Sequence, residues 1–141
     1  MTDLDTPLKE TYDITIESNL TDHTIIFNPF LFLRIVSNPF KLEERTYPID
    51  FGYPRTLIYN MSLKIPQDYE VKSLPKDVSY KLPDAGGNYI LKVEQAGDKI
   101  NLMSQFTLSK SYFYPTEYNR LKEFYNRIIK TQNSLITLEK I

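Results

Sequence analysis

From residue 56 to residue 65 the chain alternates. Leu57, Tyr59, Met61, Leu63 and Ile65 fall on one side, and Thr56, Asn60, Ser62 and Lys64 on the other. Successive side chains of a strand point to opposite faces, so this pattern specifies a β-strand with one dry and one wet face. The same period of two recurs in Tyr12-Ile14-Ile16, Tyr47-Ile49-Phe51, Tyr69-Val71, Val78-Tyr80-Leu82 and Tyr89-Leu91-Val93. It returns in Ile100, Leu102, Phe106 and Leu108, and Thr24 to Phe27 supply a further short run. A chain with this many short alternating runs folds mainly as antiparallel sheet.

The runs are bounded by turn residues. Pro66, Pro75 and Pro83 close three of them, because proline has no N–H to give a ladder. Gly52-Tyr53-Pro54 and Ala85-Gly86-Gly87-Asn88 read as turns, and Ala96-Gly97-Asp98-Lys99 as the tip of a hairpin. Asn28-Pro29-Phe30 recurs as Asn38-Pro39-Phe40, which reads as two similar turns, each anchoring a phenylalanine in the core. Between them Phe30 to Val36 is a continuous apolar run, expected to be partly extended. Ser18 to Thr21 read as a polar break.

After Pro115 the period changes. Tyr118, Leu121, Tyr125, Ile128 and Ile129 recur at three and four residues, the spacing of an amphipathic helix. Pro115 suits the first helical position and Glu117 the positive end of the helix dipole. Residues 134–141 read as a last strand, with Leu135 and Leu138 as its anchors. The expected architecture is a flexible lead-in over 1–11 and one antiparallel β-sandwich over 12–141, with about eight or nine short strands and a helix near 115–133. Absence of strand–helix alternation rules out a parallel α/β sheet.

Composition narrows function by exclusion. The 141 residues carry 17 Lys+Arg against 18 Asp+Glu, with no basic run longer than two, so phosphate-driven nucleic-acid binding is not expected. No apolar stretch reaches the length of a membrane helix, and the acidic, polar start does not read as a signal peptide. The chain has no cysteine and one histidine, His23. Thiolate nucleophiles, disulfides and zinc sites are therefore not expected. Asp22 precedes His23, but adjacent residues of a strand face opposite ways, and no Gly-x-Ser-x-Gly elbow exists to supply a nucleophile. Glu43-Glu44, Asp3-x-Asp5 and Gly86-Gly87 lack the spacing of a glycosidase pair, a calcium loop or a phosphate loop. The chain is expected to be no enzyme and to hold no cofactor or metal. Its tyrosines offer a different possibility. Rings with an apolar body and a wet hydroxyl suit ligand surfaces, and Tyr47, Tyr53, Tyr59, Tyr112 and Tyr114 are the candidate ligand or interface residues.

The stretch Arg45-x-Tyr47-Pro48-Ile49-Asp50-Phe51-Gly52-Tyr53-Pro54 resembles a signature of a domain of unknown function found after the core of bacterial transglutaminase-like proteins. Ile65-Pro66-x-x-Tyr69-x-Val71-x-x-Leu74-Pro75, Tyr118-x-x-Leu121-Lys122-Glu123-Phe124-Tyr125 and Ile136-x-Leu138-x-Lys140-Ile141 match the same module in order. The resemblance covers residues 12–141. It departs at Tyr114, where a small capping hydroxyl is usual. The resemblance implies an accessory domain of an exported, three-part protein, whose papain-like core carries a Cys-His-Asp triad. No residue here inherits that triad. It further implies an upstream transglutaminase-like domain of the same polypeptide as partner and a periplasmic or cell-surface location. The alternative is a β-sandwich module that binds a glycan or peptide through its tyrosines.

Overall fold

A computed structural model describes residues 6–15 and 23–141. Its principal layer is a four-stranded antiparallel sheet in the order β3-β7-β6-β5, formed by β3 (Arg55–Lys64), β5 (Val78–Leu82), β6 (Gly87–Ala96) and β7 (Lys99–Leu108). β7 is central. It pairs with β3 from Arg55↔Leu108 to Lys64↔Lys99 and with β6 from Gly87↔Leu108 to Ala96↔Lys99. Gly97, at φ 61°, closes the β6–β7 hairpin, a conformation that glycine adopts without steric cost.

This register places Leu57, Tyr59, Met61 and Leu63 of β3 beside Ile100, Leu102, Ser104 and Phe106 of β7, with Tyr89, Leu91 and Val93 of β6 beyond. A slip of one residue would turn the whole set to water. Two elements cover the apolar face. Helix α1 (Tyr118–Gln132) lays Tyr118, Leu121, Phe124, Tyr125 and Ile128 over the end bearing Leu102, Phe106 and Leu108. A three-stranded sheet, order β1-β9-β4, covers the end at Ile100 with Tyr69, Ile136 and Leu138. Its strands are β1 (Thr24–Phe27), β4 (Tyr69–Ser73) and β9 (Ile136–Lys140). Met61 and Val93 touch both clusters. The result is the expected mainly β, antiparallel sandwich, with nine strands among the described residues and a helix completing its second layer.

A two-stranded ribbon, β2 (Ile49–Asp50) with β8 (Tyr112–Phe113), closes the helix end. There Phe40 meets Tyr118, Tyr125 and Phe51 edge-to-face at centroid distances of 5.9, 5.1 and 6.3 Å, the geometry that ring quadrupoles favour.

The Asn-Pro-Phe repeat has a common mechanism. Asn28 Oδ1 accepts from the Phe30 N–H at 2.8 Å, and Asn38 Oδ1 from the Phe40 N–H at 2.9 Å. Each amide then donates to a helix carbonyl, Asn28 to Gln132 at 2.8 Å and Asn38 to Lys122 at 2.9 Å. Two Asx turns thus fasten one irregular segment to the helix, and each buries its phenylalanine.

Three expectations are corrected. Residues 12–15 form no strand despite their alternation, and Tyr12 and Ile14 are exposed; Ile16 and the break at 18–21 lie outside the described residues. Alternation makes a strand only where a ladder partner is in reach, and Tyr12 instead stacks on Phe32 at 5.2 Å. Residues 30–36 are irregular rather than extended, with Leu33 at φ 57°. In the last strand Leu135 is exposed and Ile136 takes the buried place beside Leu138, because the ladder with β1 begins at Phe27↔Ile136.

Two substitutions test this packing by urea unfolding. Ile128→Ala removes a fully buried side chain and should cost roughly 2–5 kcal/mol. A Cβ at Gly87 would lie 2.3 Å from the Thr107 carbonyl oxygen, whereas one at Gly97 meets nothing within 4 Å. Gly87→Ala should therefore destabilise more than Gly97→Ala, whose cost is about 1–2 kcal/mol of backbone strain.

Candidate functional site

The β2–β8 ribbon sorts its side chains by the pleat. Ile49 and Phe113 are opposite each other and buried, while Asp50 and Tyr112 are opposite each other and face out. Tyr114, two residues beyond Tyr112, faces out as well. Its ring meets that of Tyr112 edge-to-face at 5.3 Å and 82°. The Asp50 carboxylate accepts from the Gly52 N–H at 2.8 Å, which sets the turn where Gly52 stands at φ 83°. Tyr47 and Tyr53 are exposed in the segment carrying β2, and the Arg45 Nε–H donates to the Tyr47 carbonyl at 3.0 Å. Tyr112 and Tyr114 therefore make an exposed aromatic pair with a carboxylate across the ribbon.

Tyr59 belongs elsewhere. It stands on the inner face of β3, donating its hydroxyl to the Pro29 carbonyl at 2.8 Å and accepting from the Leu31 N–H at 3.3 Å. Burial raises its phenol above the ordinary value.

Glu117 organises the approach to the helix. Its carboxylate accepts from the Tyr114 N–H at 2.8 Å and is ion-paired with Lys110. The Lys110 ammonium also lies over the Phe113 ring at 4.9 Å. The missing hydroxyl cap at Tyr114 is thus compensated from the third helical position, the reverse half of a capping box. The Lys110 hydrogen bond is the main cause that holds the Glu117 carboxyl below its ordinary range, against a smaller opposing effect of burial.

A second surface lies beside Tyr59. Leu31, Phe32, Leu33, Val36 and Leu57 are all exposed. Between Leu33 and Leu57 opens a cavity of about 170 Å³. Its apolar lining is completed by Ile35 and Phe106, and its polar lining is Arg55, Tyr59, Ser104, Tyr125 and Gln132. Ser104 and Tyr89 share a buried hydrogen bond of 2.8 Å, and Gln132 accepts the Ile35 N–H at 2.7 Å. Arg55 stacks on Phe51 at 5.2 Å, yet its buried Nε–H has no hydrogen-bond partner and no carboxylate pairs with it among the described residues. Burial raises the Tyr125 phenol, and the nearby guanidinium partly offsets this. Arg55 escaped the sequence reading, although a parity signal was present: it shares the odd-numbered face of Leu57, Tyr59 and Met61.

The outer face of the main sheet carries Asn60, Ser62, Lys92, Glu94 and Asn101 together with Met103 and an exposed Ile58. His23 is exposed, and its carbonyl accepts from the Lys140 N–H at 2.6 Å. Glu43 and Glu44 are exposed on a loop; Asp3, Asp5 and Asp22 lie outside the described residues. Among the described residues no three His, Asp or Glu gather as metal ligands, and no helix is long and apolar enough to cross a membrane.

Residues 23–138 match the model of a family described as a domain of unknown function with a solved structure, DUF3858. The chain belongs to this family. No curated protein matches it. Among solved structures, a putative protease from Parabacteroides distasonis is similar at a TM-score of 0.64 and 13% identity. The match covers 84% of this chain but 24% of that one, so this domain spans about a quarter of the protein it resembles. At that identity the likeness is one of fold.

The Glu117 bridge has a pH signature. A carboxyl whose folded value lies below its unfolded one adds stability above the unfolded value, and that stability is lost as pH falls through the folded value. Urea unfolding of wild type and Glu117→Gln should differ most near neutral pH and converge as pH falls from the ordinary carboxylate range through the lower folded value of Glu117. An unchanged difference at all pH values would show that the carboxylate charge contributes nothing.

Proposed function

We propose that this chain is a non-catalytic accessory domain of an exported transglutaminase-like protein, packing against and positioning a papain-like core. The observation that carries this reading is the run of exposed apolar side chains at Leu31, Phe32, Leu33 and Val36, with exposed Leu57 facing Leu33 across the cavity. Grouped apolar side chains at a surface mark contacts with another protein body. The fold likeness supports it, since the similar structure is about four times the length of the match and is described as a putative protease. The lack of cysteine means that thiol chemistry would come from the neighbouring core. The transglutaminase-like character of that core, and with it the periplasmic or cell-surface location, rests on the four sequence motifs.

The Tyr112–Tyr114 pair favours a second reading, a module that binds a glycan or peptide. Stacking on the exposed rings and hydrogen bonds to Asp50 are the contacts a sugar would use.

Calorimetric titration of the domain with its separately expressed core separates the two. Docking predicts saturable heat and a raised melting temperature of the mixture. Phe32→Asp should abolish both, while Tyr112→Ala should leave both intact. Absence of binding at the high effective concentration of a tethered pair would overturn docking. A glycan or peptide that binds wild type but not Tyr112→Ala would then establish the second reading.

A further inference from the structure

The cavity beside β3 combines features that seldom occur together. Arg55 stands on the inner, core-facing side of the main sheet, where Leu57, Tyr59 and Met61 follow it. A guanidinium is always charged and carries five N–H donors. Taking such a group out of water is unfavourable unless a carboxylate or several acceptors replace the solvent. Arg55 has the Phe51 ring at 5.2 Å and lies within hydrogen-bonding reach of the Tyr125 hydroxyl. It has no acid, and its Nε–H is buried without an acceptor. The other two cations over rings are served differently: Lys110 has Glu117 beside the Phe113 ring, and Arg127, over the Tyr80 ring at 4.3 Å, is exposed to water.

The remaining wall is chemically split. Leu33, Ile35, Leu57 and Phe106 offer an apolar channel, and Tyr59 and Tyr125 offer hydroxyls beside the guanidinium. At the lip Leu33 holds φ 57°, a left-handed conformation that costs a leucine energy and that tends to be retained where a site requires it. We propose that this cavity is a binding site for an aliphatic carboxylate, whose oxygens pair with the Arg55 guanidinium while its short stem lies between Leu33 and Leu57. An end-on carboxylate would engage the two terminal Nη groups of the fork, a bidentate geometry that arginine favours. The two sources of such a group are a free short-chain acid and an acidic side chain of a docked protein. The site does not depend on the docking reading, because a free acid would bind an undocked domain.

The test is an NMR titration of the intact chain with butyrate, its neutral isostere butyramide, and glutamate blocked at both termini. Butyrate should shift the resonances of Leu33, Leu57 and Phe106 saturably, and butyramide should not. Arg55→Met, which keeps the bulk and loses the charge, should weaken butyrate by about tenfold or more, the ratio of one lost charge-assisted hydrogen bond. Leu57→Trp, which narrows the mouth, should also abolish binding. If Arg55→Met fails to fold, the wild-type comparison of butyrate with butyramide decides alone. Blocked glutamate binding as well as butyrate would identify a protein side chain as a competent source; butyrate alone would indicate a free acid. Equal shifts by butyrate and butyramide, shifts elsewhere on the surface, or no saturable shift by any carboxylate would overturn the proposal. Failure here with intact docking to the core would leave the accessory reading standing.

Discussion

The burial of one face of the four-stranded sheet organises the molecule. Phe106, Leu102 and Leu108 of β7 stand beside Tyr89 and Leu91 of β6, and all five are buried. No single element is wide enough to keep that surface dry. The helix shields one end and the small β1-β9-β4 sheet the other. The second layer is therefore composite, and its two parts are joined where β9, the middle strand of the small sheet, follows the helix after a short turn. Apolar burial sets the placement, and the strand ladders set the register.

Polar ties complete what apolar packing begins. Segment 28–40 has no ladder of its own, so its backbone groups need other partners. Asn28 and Asn38 supply them by capping their own turns and reaching helix carbonyls. Gln132 accepts the Ile35 N–H and lies against the Tyr89 hydroxyl, while Tyr80 bonds Thr131 across the layers at 2.9 Å. These contacts hold an irregular strap against a regular scaffold. The strap then forms one wall of the cavity containing Arg55. A site built this way combines a floor of strands with an irregular lip, the arrangement by which loops on scaffolds carry function.

The chain offers two chemically distinct surfaces. The ribbon presents Tyr112, Tyr114 and Asp50 to water, with one Asp50 oxygen held by the Gly52 N–H. The region around Leu33 and Leu57 presents apolar groups over an unpaired cation. Neither has the nucleophile, base and oxyanion donors of an active site.

Much of the fold was legible in the residues. Period-two runs located β3 and β5 to β7, the Gly97 turn located their central hairpin, and the three-four spacing from Tyr118 to Ile128 located the helix and its buried face. The site was less legible. Tyr47, Tyr53, Tyr59, Tyr112 and Tyr114 read alike as candidates; only the structure pairs Tyr112 with Tyr114 and turns the Tyr59 hydroxyl inward to Pro29. Arg55 carried no motif that singled it out, although its parity puts it on the inner face. Tyr12 and Ile14 read as a strand and form none. The common reason is that local periodicity states what a segment can do when a partner is present, and only the assembled chain supplies partners. The sequence by itself determined the strands, the helix and the side of each that avoids water, because these follow from alternation over a few residues. Tertiary structure alone decided which edges pair, which of two adjacent leucine and isoleucine positions enters the core, and that Arg55 ends beside a cavity without an acid. Those outcomes depend on contacts between residues dozens of positions apart.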